Sequence, residues 1–290
     1  MSLSVGSRRA LALLARLAPA AAQAQFGSAS YAASTTFASA GGVCTSMTLA
    51  KDAGGYWTSW GGCGGPALWR YDNSGAYLAT YTPGLDLRSI FTDASGNLYA
   101  SMFSSNNVLK MSSPGVFVYD ASLGGPGKDP QSGVRRDNGG GLITAEYGTV
   151  KQWDALGTYL GATSLVGFGA GGEAAYPQAV SIVAAGGKWL TYDGASSDLS
   201  MWDPSTGTRL GTTTLIGAGT SFDSGFSLSC ADDKVWLMDG GYTGTWRGYD
   251  VGLACDAGGG SVVPEPATIS LLGLGLAGVA LVARRRRLAA

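Results

Sequence analysis

The stretch LSMWDPSTGTRLGT, residues 199–212, decides how the rest of the chain is read. A short apolar run ends in a tryptophan and an aspartate, a Pro-Ser-Thr-Gly segment follows, and a second short run begins at Thr208. Aspartate, proline and glycine each favour a chain reversal, for different physical reasons. The stretch therefore reads as two strands joined by a tight turn. The aromatic ring suits packing between sheets, and the aspartate suits the start of the turn, where its carboxylate accepts backbone N–H bonds.

The same step recurs as LWRYD (68–72), VFVYD (116–120), VKQWD (150–154) and TWRGYD (245–250). Its aspartates stand at 72, 120, 154, 203 and 250, at intervals of 48, 34, 49 and 47. Between these steps lie IFTDASGNLYASM (90–102), GLITAEYGTV (141–150), SIVAAGGKWLTYDG (181–194) and SLSCADDKVWLMDG (227–240). Each carries a short strand, and in three of them a polar turn leads into a second, aromatic-containing one. No part of the body holds a 3.6-residue apolar period. A unit of about 47 residues with some four strands has the size of a propeller blade.

Residues 25–255 are thus expected to form an all-β domain, a β-propeller of about five four-stranded blades; a β-sandwich or irregular all-β domain is the alternative. The body resembles the looser repeats of WD40-like, NHL-like and quinoprotein-like propellers. It lacks their signatures: there is no Gly-His pair, and Trp-Asp occurs only at 153–154 and 202–203. The 34-residue interval breaks the period, and GPGKDPQSGVRRDNGGG (125–141) beside it reads as an exposed loop or insertion.

The two ends read as instructions for transport. In MSLSVGSRRALALLARLAPAAAQA (1–24), Arg8 and Arg9 precede an Ala/Leu-rich run and a small-residue cleavage site at Ala22-Gln23-Ala24. That is the layout of a secretory signal peptide. At the other end, DAGGGSVV (256–263) suits a flexible spacer. Pro264-Glu265-Pro266 follows, then an apolar run from Ala267 to Ala283, then Arg284, Arg285, Arg286 and Arg287. The run is a membrane-span candidate at the short end of the range, and the arginines would stay cytoplasmic.

In that order the three parts resemble the PEP-CTERM sorting signal, assigned here to 264–290 with a transmembrane helix over 267–283. The resemblance implies that an exosortase-like membrane protease recognises the Pro-Glu-Pro triplet and removes the tail. It further implies a protein exported by a Gram-negative bacterium, held transiently in the inner membrane, and then placed on the cell surface or released, commonly into an exopolysaccharide matrix. Extracellular polysaccharide is the partner this suggests.

Without residues 1–24 and 264–290 the chain loses seven of its 19 basic and one of its 20 acidic residues, which leaves 12 against 19, a net charge of −7. That balance argues against a nucleic-acid partner. Cys44, Cys63, Cys230 and Cys255 allow three disulfide connectivities in an oxidising compartment, and the local pairs 44–63 and 230–255 each close a modest loop.

Histidine is absent from the chain, which removes a histidine-based triad and leaves no zinc-like or cofactor signature. DASGN (93–97) and DNSG (72–75) lack the spaced ligand set of a calcium loop. Hydrolysis by paired carboxylates would fall to Glu146 and Glu173, with Asp86 or Asp93, and nothing in the sequence selects them. The expectation is a non-enzymatic surface or matrix protein, with a carbohydrate- or ligand-binding propeller as the alternative.

Overall fold

The Trp-Asp step builds the turn its chemistry suggests. Asp203 Oδ1 accepts the Ser205 N–H at 2.8 Å and its hydroxyl at 2.6 Å, and Gly207 turns the chain at φ 68°. Asp72 and Asp154 make the same turn, accepting N–H groups from Ser74 and Ala76 and from Leu156 and Thr158. These bonds, led by the Ser205 hydroxyl, the Ser74 hydroxyl and the Thr158 N–H respectively, hold all three carboxyls below their ordinary pKa.

The structure is a computed structural model and describes residues 26–40, 45–62, 67–169, 181–220, 222–240 and 244–256. The chain divides into two units, Met1–Gly258 and Gly259–Ala290; the second, with the helix expected over 267–283, lies outside the described residues. Among the described residues, no helix is long and apolar enough to cross a membrane.

Strands β1 (Ser30–Ala32) and β2 (Thr35–Ala38) precede the first blade. Blade 1 comprises β3 (Thr45–Asp52), β4 (Gly55–Gly61), β5 (Ala67–Tyr71) and β6 (Tyr77–Tyr81). Blade 2 comprises β7 (Leu87–Thr92), β8 (Leu98–Met102), β9 (Asn107–Ser113) and β10 (Val116–Ser122). Blade 3 comprises β11 (Arg135–Arg136), β12 (Leu142–Glu146), β13 (Thr149–Trp153) and β14 (Tyr159–Ser164). Blade 4 comprises β15 (Ile182–Ala185), β16 (Lys188–Asp193), β17 (Asp198–Trp202) and β18 (Arg209–Ile216). Blade 5 takes β19 (Ser229–Ala231), β20 (Lys234–Met238) and β21 (Thr245–Tyr249) from the end of the body and β2 from its beginning. Each is an antiparallel meander; β1 adds to the edge of blade 4 in parallel with β18. The fold is a five-bladed β-propeller.

Five apolar clusters occupy the five junctions between blades. Trp236 and Phe37 of blade 5 meet Tyr56 and Tyr71 of blade 1 in one of them, and Trp153 of blade 3 meets Phe91 and Val108 of blade 2 in another. The aromatic of the repeated step is the recurrent piece. Tyr71, Trp153, Trp202 and Tyr249 are all buried at the ends of third strands. Three of them also bond the outer strand of the preceding blade or the residues just after it: Tyr71 Oη accepts the Ala40 N–H at 2.8 Å, Trp153 Nε1 donates to Gly124 O at 2.9 Å, and Tyr249 Oη donates to Ile216 O at 3.2 Å.

VFVYD is the exception, and it accounts for the irregular interval. It lies on β10, an outer strand, and Tyr119 is 63% exposed. The third strand of blade 2 is β9, where Met111 packs against the junction with blade 1 and Ser112 follows it. The step then falls at 72, 112, 154, 203 and 250, with intervals of 40, 42, 49 and 47. The reading of 125–141 as an exposed loop is likewise corrected. That segment contains β11, the innermost strand of blade 3, and its Lys128, Ser132, Val134 and Arg135 are buried. Its polar, glycine-rich composition suits the propeller axis as well as it suits a surface.

Among the described residues no ladder joins neighbouring inner strands. Polar side chains bridge the blades at every junction. Ser229 Oγ accepts the Leu49 N–H at 2.9 Å, Thr48 Oγ1 accepts Ile90 N–H at 2.7 Å, and Ser101 Oγ accepts Val134 N–H at 3.1 Å. Arg135 Nη2 donates to Ser181 Oγ at 3.2 Å, and Ser181 Oγ donates to Phe226 O at 2.7 Å. Each of these bonds gives a buried polar group a partner in a neighbouring blade, which removes the cost of leaving it unpaired.

The ring closes through β2, paired with β21 over Thr35↔Gly248 to Ala38↔Thr245. Phe37 anchors it against Tyr56, Tyr71 and Trp236, with ring centroids 4.9–5.5 Å apart. Gly75, at φ 84°, leaves the space that this ring fills, since a Cβ there would collide with it. Phe37→Ala is expected to cost about 3–5 kcal/mol in urea unfolding; a loss below about 1 kcal/mol would mean that β2 is peripheral to closure.

Candidate functional site

The two faces of the ring are made from different turns. On one face, turns join the first and second strands of each blade, and the last described residues cross it. Cys255 is disulfide-bonded to Cys230 of β19. Ala254 O accepts the Gly186 N–H at 2.8 Å, Asp256 N donates to Ala184 O at 3.1 Å, and Asp256 Oδ2 accepts the Gly187 N–H at 3.0 Å. Residues 251–256 are thus a strap from blade 5 to the inner strand of blade 4. Burial, joined by the charge of Asp137, raises the Asp256 carboxyl above its ordinary pKa. The other expected pair, Cys44 and Cys63, lies outside the described residues, as do Pro264, Glu265, Pro266 and Arg284–Arg287.

Beside the strap is a cleft of about 290 Å³ lined by Lys51, Asp52, Asp93, Asp232 and Asp233. Its acids are partnered. Asp232 pairs with Lys51 at 2.8 Å, and this contact holds its carboxyl low. Asp52 accepts Arg70 Nη2 at 2.6 Å and Trp57 Nε1 at 2.7 Å; burial acts to raise its pKa, but these bonds outweigh it. Tyr56 Oη donates to Asp232 at 3.3 Å, and burial together with that charge pushes the phenol up to about 12. Among the described residues no group of three or more Cys, Asp or Glu side chains is placed to hold a metal ion.

The opposite face carries the turns between second and third strands and the connections between blades. Here Glu146, 5% exposed, accepts Lys151 Nζ at 2.6 Å, the Asp129 N–H at 2.8 Å and Thr144 Oγ1 at 3.0 Å. Lys128 is buried beside it, its Nζ donating to Asp129 O at 3.2 Å and Pro130 O at 3.4 Å. Burial pushes this amine down to about 8, with the Glu146 charge opposing the shift. Asp86 pairs with Arg88 at 3.0 Å on the same face. Of the four acids open to a catalytic reading, Glu146 and Asp86 therefore lie on one face, Asp93 lies on the other, and Glu173 lies outside the described residues. Lys128 is the residue the sequence reading missed, because its Gly-Pro-Gly context signals a loop.

Residues 262–287 match the PEP-CTERM protein-sorting motif, which implies export and membrane-associated sorting with processing by exosortase. Curated proteins give no significant match to the chain. Among solved structures, the chain is similar to a glutaminyl cyclase from Myxococcus xanthus, with a TM-score of 0.52, 15% identity, and coverage of 76% of this chain and 97% of that one. A gluconolactonase from Xanthomonas campestris gives a TM-score of 0.45 at 9% identity, covering 71% and 87%. A virginiamycin B lyase from Staphylococcus aureus gives 0.38 at 11%, covering 68% and 64%.

These are likenesses of fold, and the first of them corrects one expectation. The reading of the body as non-enzymatic rested on its missing histidine and on carboxylates that nothing in the sequence selects. The fold it shares with the Myxococcus cyclase is one on which an enzyme is built, so that exclusion falls.

Two predictions follow from the geometry of the faces. The unfolded Lys128 keeps its proton to about its ordinary 10.5, whereas the folded amine releases it from about 8. The unfolded chain thus binds more protons in that window, and stability rises with pH there. Between pH 8 and 9.5 the unfolding free energy should climb, and Lys128→Met should flatten the climb; an unchanged slope in the variant refutes the assignment. Separately, Cys255→Ser should cost about 3 kcal/mol, the value for a loop of this length, and speed hydrogen exchange at the Gly186 amide. Unaltered stability and exchange would show that the strap is held without the disulfide.

Proposed function

We propose that the protein is an exported propeller that acts at the cell surface or in an exopolysaccharide matrix of a Gram-negative bacterium, after exosortase has cut its tail near Pro264–Pro266. The observation that carries this reading is the PEP-CTERM motif at 262–287. The proposed order is a signal peptide over 1–24, the propeller over 25–255, a spacer over 256–263 and the sorting signal over 264–290. In it, Arg284–Arg287 hold the tail in the inner membrane until the cut, and Pro264, Glu265 and Pro266 form the recognised triplet.

The fold lends this reading physical support. The strap ends at Asp256 on one face, and the loops around Lys128 and Glu146 lie on the opposite one. The outer strands expose Tyr77, Val116, Val118 and Tyr119, and Tyr147 projects from a turn. Exposed rings with a polar tip suit contact with sugars, whose faces are apolar and whose edges are polar. A second reading, a propeller that holds a defined ligand, draws on the cleft of about 290 Å³.

The test is intact-mass and terminal-peptide analysis of the protein from its own cells and medium. The expected mature chain starts near Gln25, ends near Pro264–Pro266 and fractionates with the extracellular polysaccharide; Glu265→Ala should leave the tail uncut and the protein in the inner membrane. A wild-type chain that retains Arg284–Arg287 in the membrane fraction would overturn the sorting reading. A correctly cut chain with no affinity for the polysaccharide would overturn the matrix role alone.

A further inference from the structure

The axis of the propeller holds a cation with no counter-charge. Arg135, on the inner strand of blade 3, is 4% exposed. Its Nη1 donates to Val134 O at 3.0 Å, and its Nη2 donates to Ser181 Oγ and to Leu228 O, each at 3.2 Å. Those acceptors are neutral and belong to blade 3, blade 4 and the approach to blade 5, so the guanidinium crosses the axis. Burial alone lowers its pKa, to about 9, which leaves it charged at neutral pH. Among the described residues it makes no ion pair.

Arg136, the next residue, donates from Nη1 to Gly140 O at 2.8 Å and stacks over Tyr99 at 4.7 Å. The Nε of each arginine is buried and finds no acceptor among the described residues. Both arginines line one cavity of about 40 Å³, together with Thr92, Val183 and Asp256. Asp256 does not serve as the missing counter-charge: its Oδ2 accepts the Gly187 N–H, and among the described residues no ion pair joins it to Arg135 or Arg136.

We infer that this cavity binds one small monovalent anion, a halide or the carboxylate of a one- or two-carbon acid, on Arg135 and Arg136. A buried charge costs several kcal/mol unless it is paired. Water would satisfy the two N–H groups but would leave the charge uncompensated. The volume suits the assignment, since a cavity of about 10–15 Å³ is enough to hold one water. The space accepts an ion, alone or with one water, and excludes a sugar. An anion there would tie the inner strands of blades 2, 3 and 4 at the one place where Cys255 and the strap also line the cavity.

The test uses the wild-type protein at constant ionic strength, with sodium gluconate, too large for the cavity, replaced stepwise by sodium bromide, chloride, formate or acetate. The melting temperature should rise and saturate, by about 3–5 °C at ten times the half-saturating concentration. A response to bromide and chloride alone identifies a halide site, and an added response to formate and acetate identifies a carboxylate site. Arg135→Met should abolish the response while Arg135→Lys retains part of it. Bromide-soaked crystals of the wild type should show an anomalous peak in the cavity, which decides the matter if the methionine variant does not fold. No peak there and no dependence on any of the four anions would overturn the inference.

Discussion

The structure depends on one repeated contact between neighbouring blades: an aromatic side chain at the end of a third strand, buried against the blade before it. A four-stranded meander with two apolar faces has no stable existence alone, and each blade gains a dry interior only by meeting a neighbour on both sides. Tyr71, Trp153 and Tyr249 add a directional element, because their polar tips bond the backbone of the preceding outer strand or of the residues just after it. The ring supplies large apolar area, and the hydroxyl or indole N–H finds a partner in the blade it packs against. A ring of such contacts has no slack. The last junction must be made by whatever part of the chain remains, and here it is made by the N-terminal strand and Phe37.

How far this could be read in the sequence varies from residue to residue. Trp153-Asp154 and Trp202-Asp203 announce themselves because two local constraints, a buried ring and an Asp-led turn, fall on adjacent residues. Tyr119-Asp120 has the same letters and neither role, since an outer strand exposes its alternate side chains to water whatever their type. Met111 takes the buried place in blade 2 with an unbranched side chain that carries no turn signal. The pairing of Thr35–Ala38 with Thr245–Tyr249 leaves no local trace, because its partners lie at opposite ends of the body.

The axis was the least legible part, and for a reason that follows from the fold. Polar composition normally marks water, and GPGKDPQSGVRRDNGGG has the composition of a surface loop. Near a propeller axis the inner strands do not pair with one another, so their donors and acceptors must be met by side chains. Serine, threonine and arginine are the residues that do this in the belt from Thr48 round to Ser229. The same rule hid Lys128 and Glu146, whose charges are buried and partnered on the face opposite the strap. Reading buried polar residues as solvated is the natural error when the interior itself is polar.

The faces differ in one respect that bears on where chemistry or binding can reside: the acids of both are partnered, whereas Lys128 makes no ion pair among the described residues. On the strap face, the acids of the cleft are engaged by Lys51, Arg70, Trp57 and Tyr56, and a disulfide fixes the segment that crosses it. Groups held this way respond little to a ligand, because any new bond must replace a good existing one. On the opposite face, Lys128 donates to two backbone carbonyls at the long end of the hydrogen-bond range, and its amine is already shifted toward neutrality. A lysine in that state can exchange a proton near physiological pH, which a solvated lysine does not. Lys128 is thus a buried amine of lowered basicity in a chain without histidine, and it stands on the face opposite the strap.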